Sequence, residues 1–510
     1  MNDWTSGYIA DINYTYGYYT ELNPLRVKLA FLNAGIVSPE MGTACELGFG
    51  QGVSANFHAA ASVTQWWGTD FNPSQAGFGQ ELAAISGSGA KLFDEAFADF
   101  ANRPELPDFD YIGLHGIWSW ISNENRAVVV DFIRRKLKVG GVLYISYNTL
   151  PGWAPFAPIR HLMTKHAEVI GAEGHGIVTR VEGAIAFTEK LLTTNPAYAR
   201  VNPQISERIK NISVQNRNYL AHEYFNRDWH PIHFATMAEW LEPAKLSFAC
   251  SAHYMDIDSL DLTTEQQNFL KEIPDTMFKE SVRDFMINRQ FRSDYWVKGL
   301  RRLSILDKTE MLRSQSVMLM MNRETISFKI TQASGENTFS EEVFTPILDL
   351  LTDFKPRTLG HIEQALKDQN MNFALLNEAV MIMIGIGVIT IVQDDTLVAK
   401  AKPHTDRLNA YLLKKAQGSN DINFLVSPVT GGGVTVSRIQ QLFLLATSQG
   451  KKQPVELAAQ VWQILDAQCV KMVKDGNTLL TNEENLRELV KQANAFTKKQ
   501  LPILKALQIA

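Results

Sequence analysis

Cysteine is scarce in this chain. Only three of its 510 residues are cysteines (Cys45, Cys250 and Cys469), and no two of them form a Cys-x-x-Cys pair. The scarcity excludes a disulfide framework, and the spacing excludes a cysteine-ligated zinc site. We therefore expect three buried thiols in a reducing compartment, and no metal site.

An excess of either charge is also lacking. The 49 lysines and arginines are balanced by 54 aspartates and glutamates, which gives a net charge of −5. A strong general attraction to nucleic acid or to an anionic membrane needs a larger positive charge than this. No nucleic-acid partner is therefore expected.

Two further absences concern the membrane. No stretch reaches the roughly 18 apolar residues that span a bilayer, and the best one, AVMIMIGIGVITIV, is too short. The N-terminus, MNDWTSGYIADINYTYGYY, has no basic region followed by an apolar run, so it is not a signal peptide. The sequence predicts a cytoplasmic protein without a membrane span.

Short apolar runs alternate with helical segments through the first 150 residues. The runs are GTACELG, QWWGTDFN, KLFDEAFADF, FDYIGLHGIWSWI and GVLYISYN. Strands that alternate with helices imply βαβ units and a parallel sheet. The predicted fold class is therefore α/β, with a Rossmann-like sheet at the start of the chain.

Beyond three closely spaced prolines (Pro151, Pro155 and Pro158) the pattern changes. A helical insert is expected first, and then a helix and a strand over HFATMAEWLEPAKLSFACSAHY that complete the sheet. The charged segment FKESVRDFMINRQFRSDYWVKGLRRL is expected to begin another domain.

A pattern of three short helices and a hairpin over residues 341–398 predicts a winged-helix-like domain. The last hundred residues are expected to be mostly helical. Because this region is not basic, we expect packing or partner docking there and not DNA binding.

One motif carries chemistry, the segment Glu46-Leu-Gly-Phe-Gly-Gln-Gly52. Its glycines let a loop turn sharply and approach a ligand closely. The spacing fails the dinucleotide fingerprint G-x-G-x-x-G, and a carboxylate just before the loop would repel phosphate. The motif suits a ligand with a positive charge, such as an ammonium or a sulfonium.

Acidic and aromatic residues follow the next two predicted strands. Asp70 comes about 20 residues after the glycines, where a carboxylate can accept both hydroxyls of a ribose. Nicotinamide cofactors use the same contact, so Asp70 alone does not discriminate between ligands. Phe71 is placed to lie on an adenine face, and Asp99 and Phe100, in FADF, are placed to hold the adenine.

These segments resemble a known class of enzymes. ELGFGQG, GTDFN and FADF are similar to motif I, post-I and motif II of class I S-adenosylmethionine-dependent methyltransferases. HGIWSWIS, YISYNTLPGW, AHEYFN and RDFMINRQFRSDYWVKGLRR resemble a bacterial family in which a methyltransferase regulatory domain follows the methyltransferase domain. That family includes enzymes that methylate lysines of outer-membrane proteins. The resemblance covers roughly residues 8–305.

The resemblance implies a domain order and a set of cofactor contacts. The expected domains are a cofactor-binding core (1–158), a helical insert with the last strands (159–255), a regulatory domain (256–335), a winged-helix-like domain (336–400) and a helical C-terminal domain (401–510). It places Glu46, Gly48 and Gly50 at the methionine end of S-adenosylmethionine, Asp70 at the ribose, and Asp99 and Phe100 at the adenine. His115 is expected either to line the pocket or to be a structural histidine.

Candidates for the reacting end are aromatic, amide and imidazole groups. Tyr14 and Tyr16 precede the first strand, in a segment that often folds over the cofactor in this class. Tyr147 and Asn148 end the fifth strand and are expected to orient the nucleophile. His222 and Tyr224 are expected to wall the substrate side, together with Glu223 between them.

The expected reaction is in-line methyl transfer to a protein, at lysine side chains. The roughly 250 residues beyond the core fit selection of a macromolecule, such as an unfolded surface-protein precursor met before export. Two alternatives stay open at this point: a small-molecule or glycan and lipid-precursor acceptor, and a regulator that binds S-adenosylmethionine without catalysis. A homodimer is also expected, because the helical insert has no evident partner in the sheet.

Overall fold

A seven-stranded sheet organises the first 300 residues. The computed structural model describes residues 5, 7–9, 12, 14–172, 174–332, 335–369 and 371–510. The predicted βαβ elements are present as α1 (Pro24–Asn33), β1 (Thr43–Leu47), α2 (Val53–Ala61), β2 (Gln65–Asp70), α3 (Pro73–Ser86), β3 (Lys91–Asp94), α4 (Phe97–Ala101), β4 (Phe109–Leu114), α5 (Asn123–Lys136) and β5 (Leu137–Asn148).

The helical insert and the remaining strands of the sheet follow. They are α6 (Ala157–Val169), α7 (Ile177–Thr193), α8 (Ala197–Val201), α9 (Gln204–Ser213), α10 (Arg217–Tyr224), α11 (Phe234–Leu241), β6 (Leu246–Ser251), α12 (Asp258–Asp261), α13 (Thr264–Lys271), α14 (Thr276–Met286) and β7 (Phe291–Lys298). The insert has its own apolar core, which includes Trp153, Phe156, Ile209 and Tyr224. The homodimer stays a prediction.

The strand order of the sheet is β3-β2-β1-β4-β5-β7-β6. Strands β1 to β5 pair in parallel, whereas β7 runs antiparallel to both β5 and β6. The carboxyl ends of β1, β2, β3 and β4 therefore meet at one edge, which is where α/β sheets bind ligands. The α/β, Rossmann-like fold class is confirmed.

Strand β7 corrects one predicted boundary. The segment expected to begin a separate domain near residue 256 instead supplies the strand between β5 and β6. Its charged residues suggested the start of another domain, but Arg292 and Asp294 are buried and paired with each other. Residues 256–298 are thus part of the seven-stranded sheet and its cover.

The region after the sheet holds a second, three-stranded sheet. Its elements are α15 (Ile305–Arg313), β8 (Ser316–Leu319), β9 (Lys329–Gln332), β10 (Gly335–Thr338), α16 (Glu341–Leu350), β11 (Arg357–Thr358), α17 (Leu359–Ala365), α18 (Phe373–Gly385) and β12 (Ile389–Val392). The three predicted helices are present, but the hairpin is wrong. β12 pairs with the upstream strand β8, and a helix begins at Asp395 where a second hairpin strand was expected.

The C-terminal region is mostly helical, as predicted. It contains α19 (Asp395–Lys415), β13 (Phe424–Ser427), β14 (Gly432–Thr435), α20 (Arg438–Ser448), α21 (Pro454–Ala467), β15 (Val473–Lys474), β16 (Asn477–Thr478), α22 (Asn482–Ala495), a π-helical turn (Phe496–Gln500) and α23 (Leu501–Ala506). The boundary predicted at residue 400 falls inside α19. None of the helices among the described residues is long and apolar enough to cross a bilayer.

Helix α2, directly after the glycine motif, is buried along its whole length. The sheet lies on one side of it, and α19 and β14 pack on it from the C-terminal region. Its polar side chains at Ser54, Asn56 and His58 each take part in a hydrogen bond, as buried polar groups usually do.

The three cysteines differ in exposure. Cys45 is buried, Cys250 is half-buried and Cys469 is exposed, so the prediction of three buried thiols is wrong.

Gly52 caps α2 and permits its close approach to α3. Its φ is +68°, and a Cβ there would lie 2.9 Å from the Cα of Gly79 in α3. Because that neighbour is backbone, it cannot move aside cheaply. We expect Gly52→Ala to lower the free energy of unfolding by about 2 kcal/mol or more. Urea unfolding measures this, and Gly77→Ala, whose Cβ would meet nothing within 4 Å, is the matched control.

Candidate functional site

A cavity of about 180 Å³ opens at the carboxyl edge of β1 to β4. Loops that follow these strands line one side of the cavity. The other side is lined by α10 and by described residues near the N-terminus, namely Thr5, Gly7, Tyr8, Tyr14, Thr15, Gly17 and Tyr19. The lining residues include Tyr8, Tyr14, Tyr19, Glu46, Gly48, Gly50, Asp70, Phe71, Gln75, Glu95, Phe97, His115, Trp120, His222, Glu223, Asn226 and Asp228. The edge predicted to bind a ligand therefore carries the cavity.

The glycine loop is fixed to the end of β2. Gly48 donates its N–H to the carbonyl of Thr69 at 2.8 Å, and Gly50 donates its N–H to Oδ2 of Asp70 at 2.8 Å. Gly48 has a φ of +70°, and a Cβ there would lie 2.5 Å from Cδ1 of Ile117. The loop therefore needs glycine at this position, both for its backbone conformation and for the space it leaves.

Glu46 is a buried carboxylate that faces the cavity. Its side chain is 2% exposed, and its Oε2 has no hydrogen-bond partner among the described residues. Burial, and then the nearby charge of Asp70, raises the pKa of Glu46 to about 8. A cation in the cavity would both satisfy this oxygen and favour its ionised form.

Asp70 joins the glycine loop to the start of α3. Its Oδ1 accepts the N–H of Asn72 at 2.9 Å, while Oδ2 accepts that of Gly50. Burial raises the pKa of Asp70 to about 7, although these two backbone hydrogen bonds oppose the shift. Each oxygen keeps a second lone pair that a ligand hydroxyl can use.

His115 lines the cavity, as one of its two predicted roles requires. Its ring stacks on Tyr19, with 3.5 Å between the ring centroids, and its Nδ1 is hydrogen-bonded to the hydroxyl of Tyr144 at 2.8 Å. Burial lowers the pKa of His115 to about 4. The imidazole is therefore neutral near pH 7 and adds no positive charge to the cavity.

The N-terminal segment covers the cavity through main-chain and ring contacts with α10 and the residues after it. Ile9 donates its N–H to Oδ1 of Asn226 at 2.9 Å, and Nε2 of His222 lies 3.1 Å from the carbonyl of Ile12. The His222 ring also contacts the rings of Tyr8 and Tyr14, at 5.5 and 5.1 Å. The described residues of this segment therefore border the cavity and contact α10 and the residues after it.

The cavity is strongly acidic. Its lining includes five carboxylates, at Glu46, Asp70, Glu95, Glu223 and Asp228, and no described lining residue is lysine or arginine. Two of the five have charged partners, because Glu95 pairs with Arg103 and Asp228 lies near His230 and Arg227. Glu46, Asp70 and Glu223 form no ion pair within the described residues. Such a site favours cationic ligands and disfavours phosphates.

Four predicted reacting-end residues lie outside the cavity. Tyr147 donates its hydroxyl to Asp294 at 2.9 Å, inside the core between β5 and β7. Asn148 is 2% exposed, and its backbone N–H binds Ser119 at 2.8 Å. Tyr224 packs in the core of the insert, and Tyr16 packs on Phe78 outside the site. β7 lies directly beside β5, which is why the end of β5 is enclosed.

The predicted adenine contacts after β3 are also displaced. β3 ends at Asp94, and Asp99 lies on α4, exposed and away from the cavity. Phe100 is fully buried against Phe93 and Phe132 on the other side of that helix. The residues that reach the cavity from this loop are Glu95, Ala96 and Phe97.

Several lining residues were not predicted as site residues. Tyr8, Gln75, Trp120 and Asn226 come from segments whose approach to the cavity depends on tertiary packing. Among the lining residues that were not predicted, only Glu95 and Phe97 could have been identified from the local sequence, because they follow the end of a predicted strand.

Comparisons with known proteins agree with this fold. The family description "predicted methyltransferase regulatory domain" matches residues 216–298. The structure of PKMT2 from Rickettsia typhi in complex with AdoHcy is similar, with a TM-score of 0.68, 17% identity, and coverage of 97% of this chain and 99% of that one. An uncharacterized protein of Synechocystis sp., sll1526, is 38% identical over 513 residues, which is 99% of this chain and 100% of that protein. RP028 of Rickettsia prowazekii is 29% identical over 197 residues, covering 37% of this chain and 76% of that protein.

The chain thus shares the fold of the Rickettsia typhi structure, and its residues 216–298 match a predicted methyltransferase regulatory domain. The chain belongs to the same family as the Synechocystis protein sll1526.

Proposed function

We propose that the protein transfers the methyl group of S-adenosylmethionine to lysine side chains of other proteins. The observation that carries the proposal is the charge of the cavity, which has carboxylates both on the glycine-loop side and on α10 and no described lysine or arginine in its lining. Two cations have to meet in such a reaction, the sulfonium of the methyl donor and the ammonium of the acceptor. A cavity with unpaired acids on two walls suits both.

The residues present fit the methyl donor. Glu46 offers a buried oxygen without a partner for the ammonium of its methionine end, next to the backbone of Gly48 and Gly50. Asp70 keeps free lone pairs for the ribose hydroxyls, and Phe71 and Phe97 supply rings for the adenine. When bound, S-adenosylmethionine supplies an electrophilic methyl group on a positively charged sulfur. Placing this methyl in an apolar, water-poor pocket favours its transfer, because the charge disperses in the transition state.

Carboxylates on the α10 side of the cavity support lysine as the acceptor. Glu223 and Asp228 belong to α10 and the loop after it, and a hydroxyl acceptor on a small molecule or glycan has no need of a carboxylate-rich wall there. The resemblance to a family that includes methyltransferases of outer-membrane protein lysines agrees with this assignment. The remaining 200 or so residues fit the docking of a macromolecule.

Transfer of radiolabel from S-adenosylmethionine into a bacterial cell lysate, native and heat-unfolded, tests the proposal. We expect label in protein bands, at lysines identified by mass spectrometry, and none with Asp70→Ala. Glu207→Gln, a change at an exposed acid on α9, should label as well as wild type. Label confined to the low-molecular-weight fraction would contradict a protein acceptor. No label at all, with donor binding intact, would contradict methyl transfer.

A further inference from the structure

Glu223 occupies an unusual position among the carboxylates of the cavity. It lies near the end of α10, inside the segment that matches the regulatory-domain description, and not on the cofactor-binding loops. Its main-chain carbonyl accepts the indole N–H of Trp120 at 3.3 Å, which fixes the end of the helix beside the cavity. Glu223 itself lines the cavity.

Two tyrosine hydroxyls lie within electrostatic range of both Glu223 and the cofactor-side acids. The hydroxyl of Tyr19 lies within electrostatic range of both Glu46 and Glu223, and that of Tyr8 within range of both Asp70 and Glu223. Both tyrosines line the cavity. Glu223 thus faces the same small volume as the acids proposed to hold the methyl donor, but from another element of the fold.

Glu223 forms no salt bridge among the described residues, although Arg208 acts on it electrostatically. The titratable groups around it are Tyr8, Tyr14 and Tyr19 of the N-terminal segment, Tyr219, His222 and Tyr224 of α10, and Arg208 of α9. Arg208 is the one cation of this group, and it stacks on the rings of Trp153 and Phe156 at 3.9 and 4.6 Å. No ion pair within 4 Å joins it to Glu223 among the described residues. Aromatic rings and one carboxylate form a suitable enclosure for an alkylammonium.

We propose that Glu223 binds the ammonium of the acceptor and takes the proton that this group must lose before it can be methylated. The inference rests on the proposed function and deepens it, since it assigns the acceptor end of the cavity. It also gives the segment called regulatory a direct part in the reaction.

The proton balance of the step is complete with this residue. The acceptor ammonium gives one proton to the Glu223 carboxylate and becomes a neutral amine. Its lone pair forms the new N–C bond while the electron pair of the methyl–sulfur bond stays on sulfur. Glu223 then releases the proton to water, so that one proton leaves for each methyl transferred.

Burial gives Glu223 a suitable basicity for this role. It raises the pKa of Glu223 to about 7, although Arg208 opposes the shift. A lysine ammonium has a pKa of about 10.4 in water, and transfer into the same poorly solvated cavity lowers it. The two values approach each other, which is the condition for proton transfer near neutral pH.

The first test is binding, which does not depend on methyl transfer. The probes are n-butylammonium, which has the chemistry of a lysine side chain, and uncharged n-butanol, each titrated by NMR in the presence of AdoHcy. We expect wild type to prefer the ammonium and Glu223→Gln to lose at least tenfold of that preference, with the Kd for AdoHcy unchanged. Glu207→Gln is the matched control and should bind both probes as wild type does. An equal preference in wild type and Glu223→Gln would overturn the inference.

The second test is the pH dependence of single-turnover methylation of the labelled substrate. In wild type the rate should rise through about pH 7, and Glu223→Gln should lower it about 100-fold and remove this limb. Glu223→Asp, which keeps the carboxylate, should restore part of the rate. An unchanged rate and pH profile in Glu223→Gln would overturn the inference while leaving the proposed function in place. Ammonium selectivity without any protein methylation would overturn the proposed function instead.

Discussion

Glu46→Gln is expected to weaken S-adenosylmethionine binding by about 10- to 100-fold. It is also expected to stabilise the ligand-free protein by an amount that grows as the pH rises from 4.5 and levels off above about 8. The carboxyl has its ordinary pKa of 4.5 when unfolded and about 8 in the folded protein. The folded state therefore holds a proton that the unfolded state has lost, and stability falls as the pH rises from 4.5 through 8. An amide has no charge to bury, so the variant avoids this loss, by about 2 kcal/mol at pH 8.5.

Thermal unfolding between pH 6 and 9 and calorimetric titration measure the two effects. The stabilisation of Glu46→Gln should grow with pH, and wild type should release protons when it binds the donor, detected as a dependence of the binding heat on the buffer. Glu40→Gln, a change at an exposed carboxyl six residues away, should alter neither quantity. A variant that binds the donor as tightly as wild type would contradict the assignment of Glu46 to its ammonium.

The residues predicted best are those whose position depends on one strand and its following loop. Glu46, the glycines, Asp70 and His115 all lie at the ends of β1, β2 and β4, and all line the cavity. Parallel strands bring the residues at their carboxyl ends together at one edge of the sheet, independently of how the rest of the chain packs. Local sequence is therefore sufficient to locate them.

The predictions that failed depended on what packs beside a strand or on where a helix begins. Tyr147 and Asn148 end a strand just as Asp70 does, but β7 comes from a segment about 145 residues later and encloses them. Asp99 lies outside the cavity because α4 begins at Phe97, soon after β3 ends. Neither the partner strand nor the early helix start has a signal in the local sequence.

Segment 216–298 illustrates how a domain name can mislead. The match to a regulatory domain suggests a unit that is separate from the catalytic core. In the structure this segment supplies β6 and β7 of the central sheet and the α10 wall of the cavity. Removing it would open the sheet at β5 and take away one side of the proposed acceptor site, so it cannot be a detachable regulator.

Besides the strand pairing of β5 with β7, a buried ionic cluster around Arg292 links this segment to the core. Its guanidinium, 2% exposed, contacts Asp294 at 2.9 Å, Asp284 at 2.8 Å and Glu280 at 2.7 Å. Asp294 also accepts the hydroxyl of Tyr147 on β5. The cluster thus joins α14 and β7 to the strand that was predicted to carry the nucleophile-orienting residues.

Arg292→Leu should therefore destabilise the protein by about 3–5 kcal/mol, because it leaves buried carboxylates without their cation. Burial already raises the pKa of Asp284 to about 6 with Arg292 in place, and its removal pushes the folded-state pKa of these acids higher. Acids with a raised folded-state pKa cost stability as the pH increases, so the deficit should be larger at pH 8 than at pH 5.5. Urea unfolding at the two pH values measures this loss of stability.

Arg487→Leu is the control. It removes an exposed ion pair with Glu483 and should cost less than about 1 kcal/mol at either pH. If the two variants lost equal stability, the cluster would not hold the segment to the sheet, and Tyr147 would have to be held by apolar packing alone.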